Sequence, residues 1–150
     1  KKLKLFLSSI EALCKTFKVK AIISTHYRTS KKLENISFKS KNLVFKKPFG
    51  FLDYMFLQKN SFITLSDSGT LSEESSILRR SSIHLRHCTE RPEGLENGAI
   101  IIGGSSVKKL TSAVKIILED KKIHNHSSYD KSNVSKIVLK SVISCLEYYK

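Results

Sequence analysis

Leu3, Phe6, Leu7, Ile10, Leu13, Cys14 and Phe17 recur in steps of three and four, the spacing that lines one face of an amphipathic helix. After that the period shortens. "VKAIIST" and "NLVFKK", the second closed by Pro48, read as short β-rich runs. "DYMFLQKN" predicts a short helix, "SFITLSD" a buried strand, "LSEESSIL" a helix, and "SIHLRH" and "AIIIGG" two more strands. A second helical stripe follows at Val107, Leu110, Val114, Ile117 and Leu118, with Ser105 or Ser106 placed to cap its start. "DKKIHNHSSYDKSN" is polar and reads as a loop. The last helix carries Val134, Ile137, Val138, Val142, Cys145, Leu146 and Tyr149 on one side. Strand and helix alternate, so the expected class is α/β, a parallel sheet covered by helices on both faces. Neither an internal repeat nor a low-complexity linker divides the chain, and it is expected to behave as one unit.

In such a sheet, ligands bind beyond the carboxyl ends of the strands, where loops enter helices. "LSDSGTLSEESSIL" sits at such a place. A helix start offers unpaired backbone N–H groups and partial positive charge, so Ser68, Gly69 and Thr70 are placed to hold a phosphate or diphosphate. The plainer alternative is a well-capped helix, since Thr70-Leu71-Ser72-Glu73 has capping-box spacing. A nucleophilic Ser68 lacks the G-x-S-x-G elbow and an assignable base. The phosphodegron-like "DSGTLS" is needed to end a strand and start a helix. In "TERPEGL", read as a loop, Arg91 offers a planar fork to a phosphate; its plainer role is a salt bridge with Glu90 or Glu93. "STHYRT" sets His26 and Arg28 just past a strand end, where a lone His is commonly a loop hydrogen-bonder. His84 with His87, and His124 with His126, lack the carboxylates or cysteines that would complete a metal site.

The net charge of +14 raises nucleic-acid binding. Its distribution argues for a solvated surface instead: 12 of the 22 lysines fall within the first 47 residues, and residues 48–107 hold only Lys59. The basic surface and the candidate site are thus largely separate, and the expectation is no nucleic-acid partner. No apolar run approaches the ~20 residues of a membrane helix, and no secretory pattern is seen, so no membrane partner and a cytoplasmic location are expected. Cys14, Cys88 and Cys145 are odd in number with no C-x-x-C spacing, which suggests plain reduced thiols. A helical pattern already under way at Lys1, with Met55 the sole methionine, reads like the middle of something larger.

Three segments in one order carry more weight together than separately. "STHYRTSKKLE", then "KPFGFLDYMFLQKNSFITLSDSGTLSEESSIL", then "ERPEGLENGAIIIGG" resemble the non-hydrolysing UDP-N-acetylglucosamine 2-epimerase family. Within it the branch that makes capsule or O-antigen amino sugars, such as UDP-N-acetyl-fucosamine, is the most similar. The resemblance implies a Rossmann-like parallel sheet flanked by helices, the C-terminal half of a GT-B-type two-domain enzyme, covering residues 1–150, with the N-terminal catalytic half absent. It also implies site roles. His26 and Arg91 would reach the UDP diphosphate, Ser68 and Gly69 would cradle it, Glu74 would accept from the ribose hydroxyls, and Tyr54 would lie beside uracil. Glu73 is left as the capping partner.

The family reaction needs no metal and no nicotinamide. A base removes the C2 proton, UDP leaves as a glycal forms, and re-addition inverts C2. Its carboxylates belong to the N-terminal domain, so no catalytic residue is assigned here and the chain is expected to bind UDP or a UDP-amino sugar without activity of its own. A separate chain supplying the N-terminal domain, or a homodimer, are the protein partners considered. The alternatives are a functionless remnant of a split gene and a basic nucleic-acid-binding module. One departure stands out: where the family has a Gly-x-Pro turn after the helix, this sequence reads Arg80, Ser81, Ser82, which puts tight packing there in doubt.

Overall fold

A computed structural model describes residues 2–34, 36, 38–119 and 129–146. Among these, the chain runs α1 (Lys2–Phe17), β1 (Ala21–Ser24), α2 (Tyr27–Glu34), β2 (Leu43–Lys46), α3 (Phe51–Asn60), β3 (Thr64–Ser66), α4 (Leu71–Leu78), β4 (Ser82–His84), α5 (Glu93–Glu96), β5 (Ile100–Ile102), α6 (Val107–Glu119) and α7 (Val134–Leu146). All strand pairings are parallel, in two hydrogen-bonded groups, β1-β2 and β3-β4-β5. The expected α/β class with helices around parallel strands is what forms.

One apolar core joins the two groups. Leu7, Ile10, Leu13 and Cys14 of α1 meet Leu43 of β2, Ile83 of β4, and Leu110, Ala113 and Val114 of α6. Alternation along β4 sets its two faces. Ile83 points toward α6, because a Cβ added at Gly103 would touch both its Cγ2 and Leu110 Cδ2. Ser82 points the other way, where its Oγ accepts from Ser75 Oγ of α4 at 2.8 Å. The middle strand is therefore covered on both sides, and its three residues are all buried. β3, expected to be buried, is an edge strand of this group and only half-buried.

Two elements were not foreseen. Tyr27–Glu34, beyond β1, is helical although it carries no apolar stripe. Within "TERPEGL", read as a loop, Glu93–Glu96 forms a single turn, started by Pro92 at φ −60°. The α6 start settles on Ser106, whose Oγ accepts from Lys109 N–H at 3.3 Å. The α6 stripe is narrower than expected: Leu110, Ala113 and Val114 are buried, whereas Val107 and Leu118 are exposed. The turn after α4 forms without glycine, because Arg79 takes the left-handed conformation (φ 53°, ψ 46°) and Arg80 N–H returns to Ser75 O at 3.0 Å. Arg80 Nη2 then donates to Ser61 O at 2.6 Å, tying the turn to the end of α3.

The final helix forms as expected, yet none of its residues is buried, and Val134, Ile137, Val138, Val142 and Leu146 are all exposed. Tyr149, and residues 120–128 of the expected loop, lie outside the described residues. No helix among the described residues is long and apolar enough to cross a membrane.

A polar latch fastens β2 to α1. Glu11 accepts from Ser40 Oγ and, at 2.9 Å, from Asn42 Nδ2, while Ser40 Oγ accepts the N–H groups of Asn42 and Leu43. The Ser40 hydrogen bond, against an opposing cost of burial and with help from Asn42 and Lys15, holds the Glu11 pKa below its ordinary 4.5. A carboxylate with a lower pKa folded than unfolded stabilises the fold above the unfolded value and loses that contribution as pH falls through the folded one. Glu11→Gln should therefore lose less melting temperature than the parent chain between about pH 5 and about pH 3. Equal losses in thermal melts at the two pH values would remove the latch from the acid response.

Candidate functional site

α4 starts one turn beyond β3, at the carboxyl end of the three-stranded group. Ser66 Oγ accepts from Ser68 N–H at 3.1 Å, and Ser68 O accepts from Leu71 N–H at 3.3 Å. This leads the chain into the helix and leaves the Gly69 and Thr70 N–H groups without a partner among the described residues. Arg86 steadies the loop from the next strand, its Nε donating to Asp67 O at 2.7 Å.

The expected capping box does not form. Thr70 is the N-cap, but its side chain makes no capping bond; its Oγ1 donates to Glu74 Oε1 at 2.7 Å and shares a hydrogen with Ser68 Oγ at 2.9 Å. Glu73, expected as the capping partner, accepts instead from Arg91 Nε. This contact overrides the local one because a charge-assisted bond from a guanidinium is stronger than one from a neutral amide. The alternatives considered for Arg91 are corrected too. Glu90 pairs with Arg86 at 3.4 Å, and Glu93 Oε2 accepts from Tyr129 OH at 3.4 Å.

Arg91 reaches the helix start. A Cβ built on Gly69 would stand 3.1 Å from Arg91 Nη1 and 3.6 Å from its Cζ, so the guanidinium rests against the glycine where a side chain would otherwise be. Glu73 holds the Arg91 pKa above its already high ordinary value, keeping a full positive charge at the place where α4 presents its amides. Glu74 is fixed from two sides, its Oε2 accepting from Gln58 Nε2 at 2.6 Å. Gln58 is buried on α3, one turn along from Tyr54, whose N–H caps back to Gly50 O at 3.0 Å. Ser68, Thr70, Glu74 and Gln58 thus form one continuous run of hydrogen bonds from the start of α4 to α3.

Four of the expected residues, Ser68, Gly69, Glu74 and Arg91, are gathered directly. Tyr54 lies on α3, four residues before Gln58. His26 belongs to the other strand group: it follows β1, is exposed, its carbonyl accepts from Thr29 and Ser30 N–H at the start of α2, and its ring lies 4.4 Å from that of Tyr27. Sequence reading did not single out Gln58, or Glu73 as the Arg91 partner. The i+4 step from Tyr54 to Gln58 is the one local signal for the former; the latter joins residues 18 apart and has none.

Beneath the site the α4–β4 contact is polar and close. Ser72, Ser75 and Ser76 are buried, Ser76 Oγ donates to Ser72 O at 2.7 Å, and Asn97 Nδ2 donates to Ser76 Oγ at 3.1 Å. His84 is fully buried with both ring nitrogens unpartnered among the described residues, whereas His87 is exposed. The described residues contain no group of three or more His, Cys, Asp or Glu side chains arranged to hold a metal.

Residues 1–143 match the family model described as UDP-N-acetylglucosamine 2-epimerase. The UDP-N-acetylglucosamine 2-epimerase of Methanocaldococcus jannaschii is 41% identical over 109 residues, 69% of this chain and 30% of that protein. Its counterpart from Methanococcus maripaludis is 32% identical over 140 residues, 90% of this chain and 38% of that protein. Among solved structures, the enzyme from Rickettsia bellii superposes with a TM-score of 0.79 at 37% identity, over 97% of this chain and 42% of that one. The M. jannaschii enzyme in complex with UDP-GlcNAc and UDP superposes with a TM-score of 0.77 at 32% identity, over 92% and 40%. The chain therefore spans well under half the length of these relatives.

Proposed function

The chain belongs to the UDP-N-acetylglucosamine 2-epimerase family, and from that premise we propose that it is the UDP-binding half of such an enzyme, corresponding to its C-terminal domain. The observation that carries this is the Arg91 guanidinium lying against Gly69 beside the unpaired amides of Gly69 and Thr70. Backbone N–H groups, a helix dipole and a guanidinium converging on one spot make a site for a diphosphate. Ser68 and Gly69 cradle it, Glu74 accepts from the ribose hydroxyls, and Tyr54 lies beside the uracil. His26 reaches the diphosphate from the β1 side. Solved relatives in complex with UDP-GlcNAc and UDP support the ligand class.

Epimerisation at C2 requires a group to remove the proton and another to return it. Both carboxylates of the cradle are already engaged, Glu73 by Arg91 and Glu74 by Gln58 and Thr70. In this reading the proton-transfer groups belong to the part of the relatives' length that this chain does not span, and the chain alone binds UDP without turning over a UDP-amino sugar. In its finer form the proposal places the completed enzyme in the cytoplasm, on the capsule or O-antigen branch, with the rest of the fold supplied by a separate chain or by a longer form of this one.

Arg91→Ala is the direct test of the cradle. UDP should bind the parent chain more tightly than uridine does, and the variant should lose about tenfold in UDP affinity with uridine little changed. Calorimetric titrations of both ligands measure the ratio. An unchanged preference for UDP in the variant would take Arg91 out of the site.

A further inference from the structure

We propose that Glu73 is a positioning residue for diphosphate recognition: by taking the Nε–H of Arg91 alone, it turns the two Nη groups of that arginine toward the ligand. This rests on the diphosphate reading of the cradle above. A guanidinium on three methylenes has many rotamers, and ordering it at the moment of binding weakens the complex. Here the backbone is fixed first, since Arg91 N–H donates to Thr89 Oγ1 at 3.2 Å and Arg91 O accepts from Gly94 N–H at 3.3 Å at the start of α5. The contact to Glu73 then fixes the far end.

How that contact is made decides what remains for a ligand. A side-on, two-point pairing would occupy Nε and one Nη together. Glu73 Oε1 takes Nε, while Oε2 is buried without a partner among the described residues, so the pairing is one-point. The Nη edge stays available and lies over Gly69, with Nη1 at 3.1 Å, Cζ at 3.6 Å and Nη2 at 3.9 Å from the position a Cβ would occupy. Glu90 and Glu93, the acids on either side of Arg91, are engaged by Arg86 and Tyr129, which leaves Glu73 as the one carboxylate bonded to it among the described residues. Glu73 sits in the first turn of α4, where a carboxylate is also favoured by the helix dipole. A buried oxygen left unpaired is a cost to the fold, and aiming Arg91 is the return. Tyr129 keeps Glu93 occupied: burial, and then the neighbouring Glu93, push its hydroxyl above the ordinary phenol range, so it stays a neutral donor to Glu93.

The opposite sign is also chemically sensible, for a carboxylate on Arg91 can act as a resident anion that competes with the diphosphate. Measuring UDP and uridine affinities for the full chain and its variants separates these. Glu73→Ala should lower UDP affinity about tenfold and leave uridine within about twofold, while Glu73→Gln, whose amide oxygen still accepts from Nε, should keep most of the preference. Arg91→Lys, which has one amine to share between Glu73 and ligand, should behave like Arg91→Ala even if Glu73→Ala folds poorly. Tighter UDP binding in Glu73→Ala would make Glu73 a competitor, and equal losses of UDP and uridine would make it merely structural; either overturns the proposal, as does full UDP preference in Arg91→Lys. Absence of UDP preference in the parent chain would defeat the diphosphate reading itself, whereas a parent preference that survives in Glu73→Ala defeats only the role of Glu73.

Discussion

Gly103→Ala is expected to destabilise the chain by about 3 kcal/mol, at the upper end of what overpacking a core costs. The added Cβ would lie 2.4 Å from Ile83 Cγ2 and 2.9 Å from Leu110 Cδ2. Neither neighbour can step aside, because both are completely buried and Ile83 is β-branched and stiff at χ1. Nor can the backbone, since Gly103 N–H donates to His84 O at 3.0 Å and extends the β4–β5 pairing. For a domain of this size the melting temperature should fall by roughly 6–12 °C. Gly50→Ala provides the contrast: at φ −63°, with the nearest atom 3.9 Å from its Cβ, it should stay within about 0.5 kcal/mol of the parent chain. Equal stability of the two variants in thermal or urea unfolding would mean that α6 does not seat on β4 as described.

Gly94→Ala should act on stability and on the ligand together. Its Cβ would stand 2.8 Å from both Cβ and Oγ of Ser72 and 3.2 Å from Ile100 Cγ1, so α5 would have to lift from the first turn of α4. A cost of about 1–3 kcal/mol follows from the overpacking. The displacement also reaches the cradle, because Gly94 N–H is bonded to Arg91 O. UDP affinity should therefore drop by about tenfold, more than that of uridine. Ser72→Gly removes both obstructing atoms, so the double variant should regain part of both losses, a coupling expected only of residues in contact. A Gly94→Ala chain with parent-like UDP binding and stability would show that α5 does not hold Arg91 in place.

Periodic apolar stripes carried most of the fold in legible form. Of the α1 stripe, Leu7, Ile10, Leu13 and Cys14 are buried while Leu3, Phe6 and Phe17 pack against them partly buried, and each short β-rich run contains a strand. What failed to show lacked a local signature. Helix α2 has only Tyr27 and Leu33 as apolar residues, so no stripe announces it. The single turn of α5 is shorter than any period, although Pro92 marks its start. In α7 the period correctly reports a helix but says nothing about what covers it, and its apolar residues are exposed.

The site divides in the same way. Ser68 and Gly69 are legible as candidates from a strand-to-helix junction and Arg91 from its guanidinium fork in a loop after a strand, whereas Glu74 enters only through resemblance. The pairings that arrange them link distant residues: Glu73 to Arg91, Gln58 to Glu74, Arg86 to Asp67. Capping-box spacing at Thr70 and Glu73 pointed to a local bond that a stronger distant partner displaces. Local spacing states what a side chain is able to reach, and the competition among partners is decided in three dimensions.

The central claim is that UDP binds across the start of α4, and a titration of the isotopically labelled chain with millimolar UDP, followed through backbone amide shifts, tests it most directly. The prediction is saturable shifts at Ser68, Gly69, Thr70, Glu74 and Arg91, with those of Gly69 and Thr70 much smaller for uridine. Unmoved amides at these positions at millimolar UDP, or equal shifts for UDP and uridine, would contradict it.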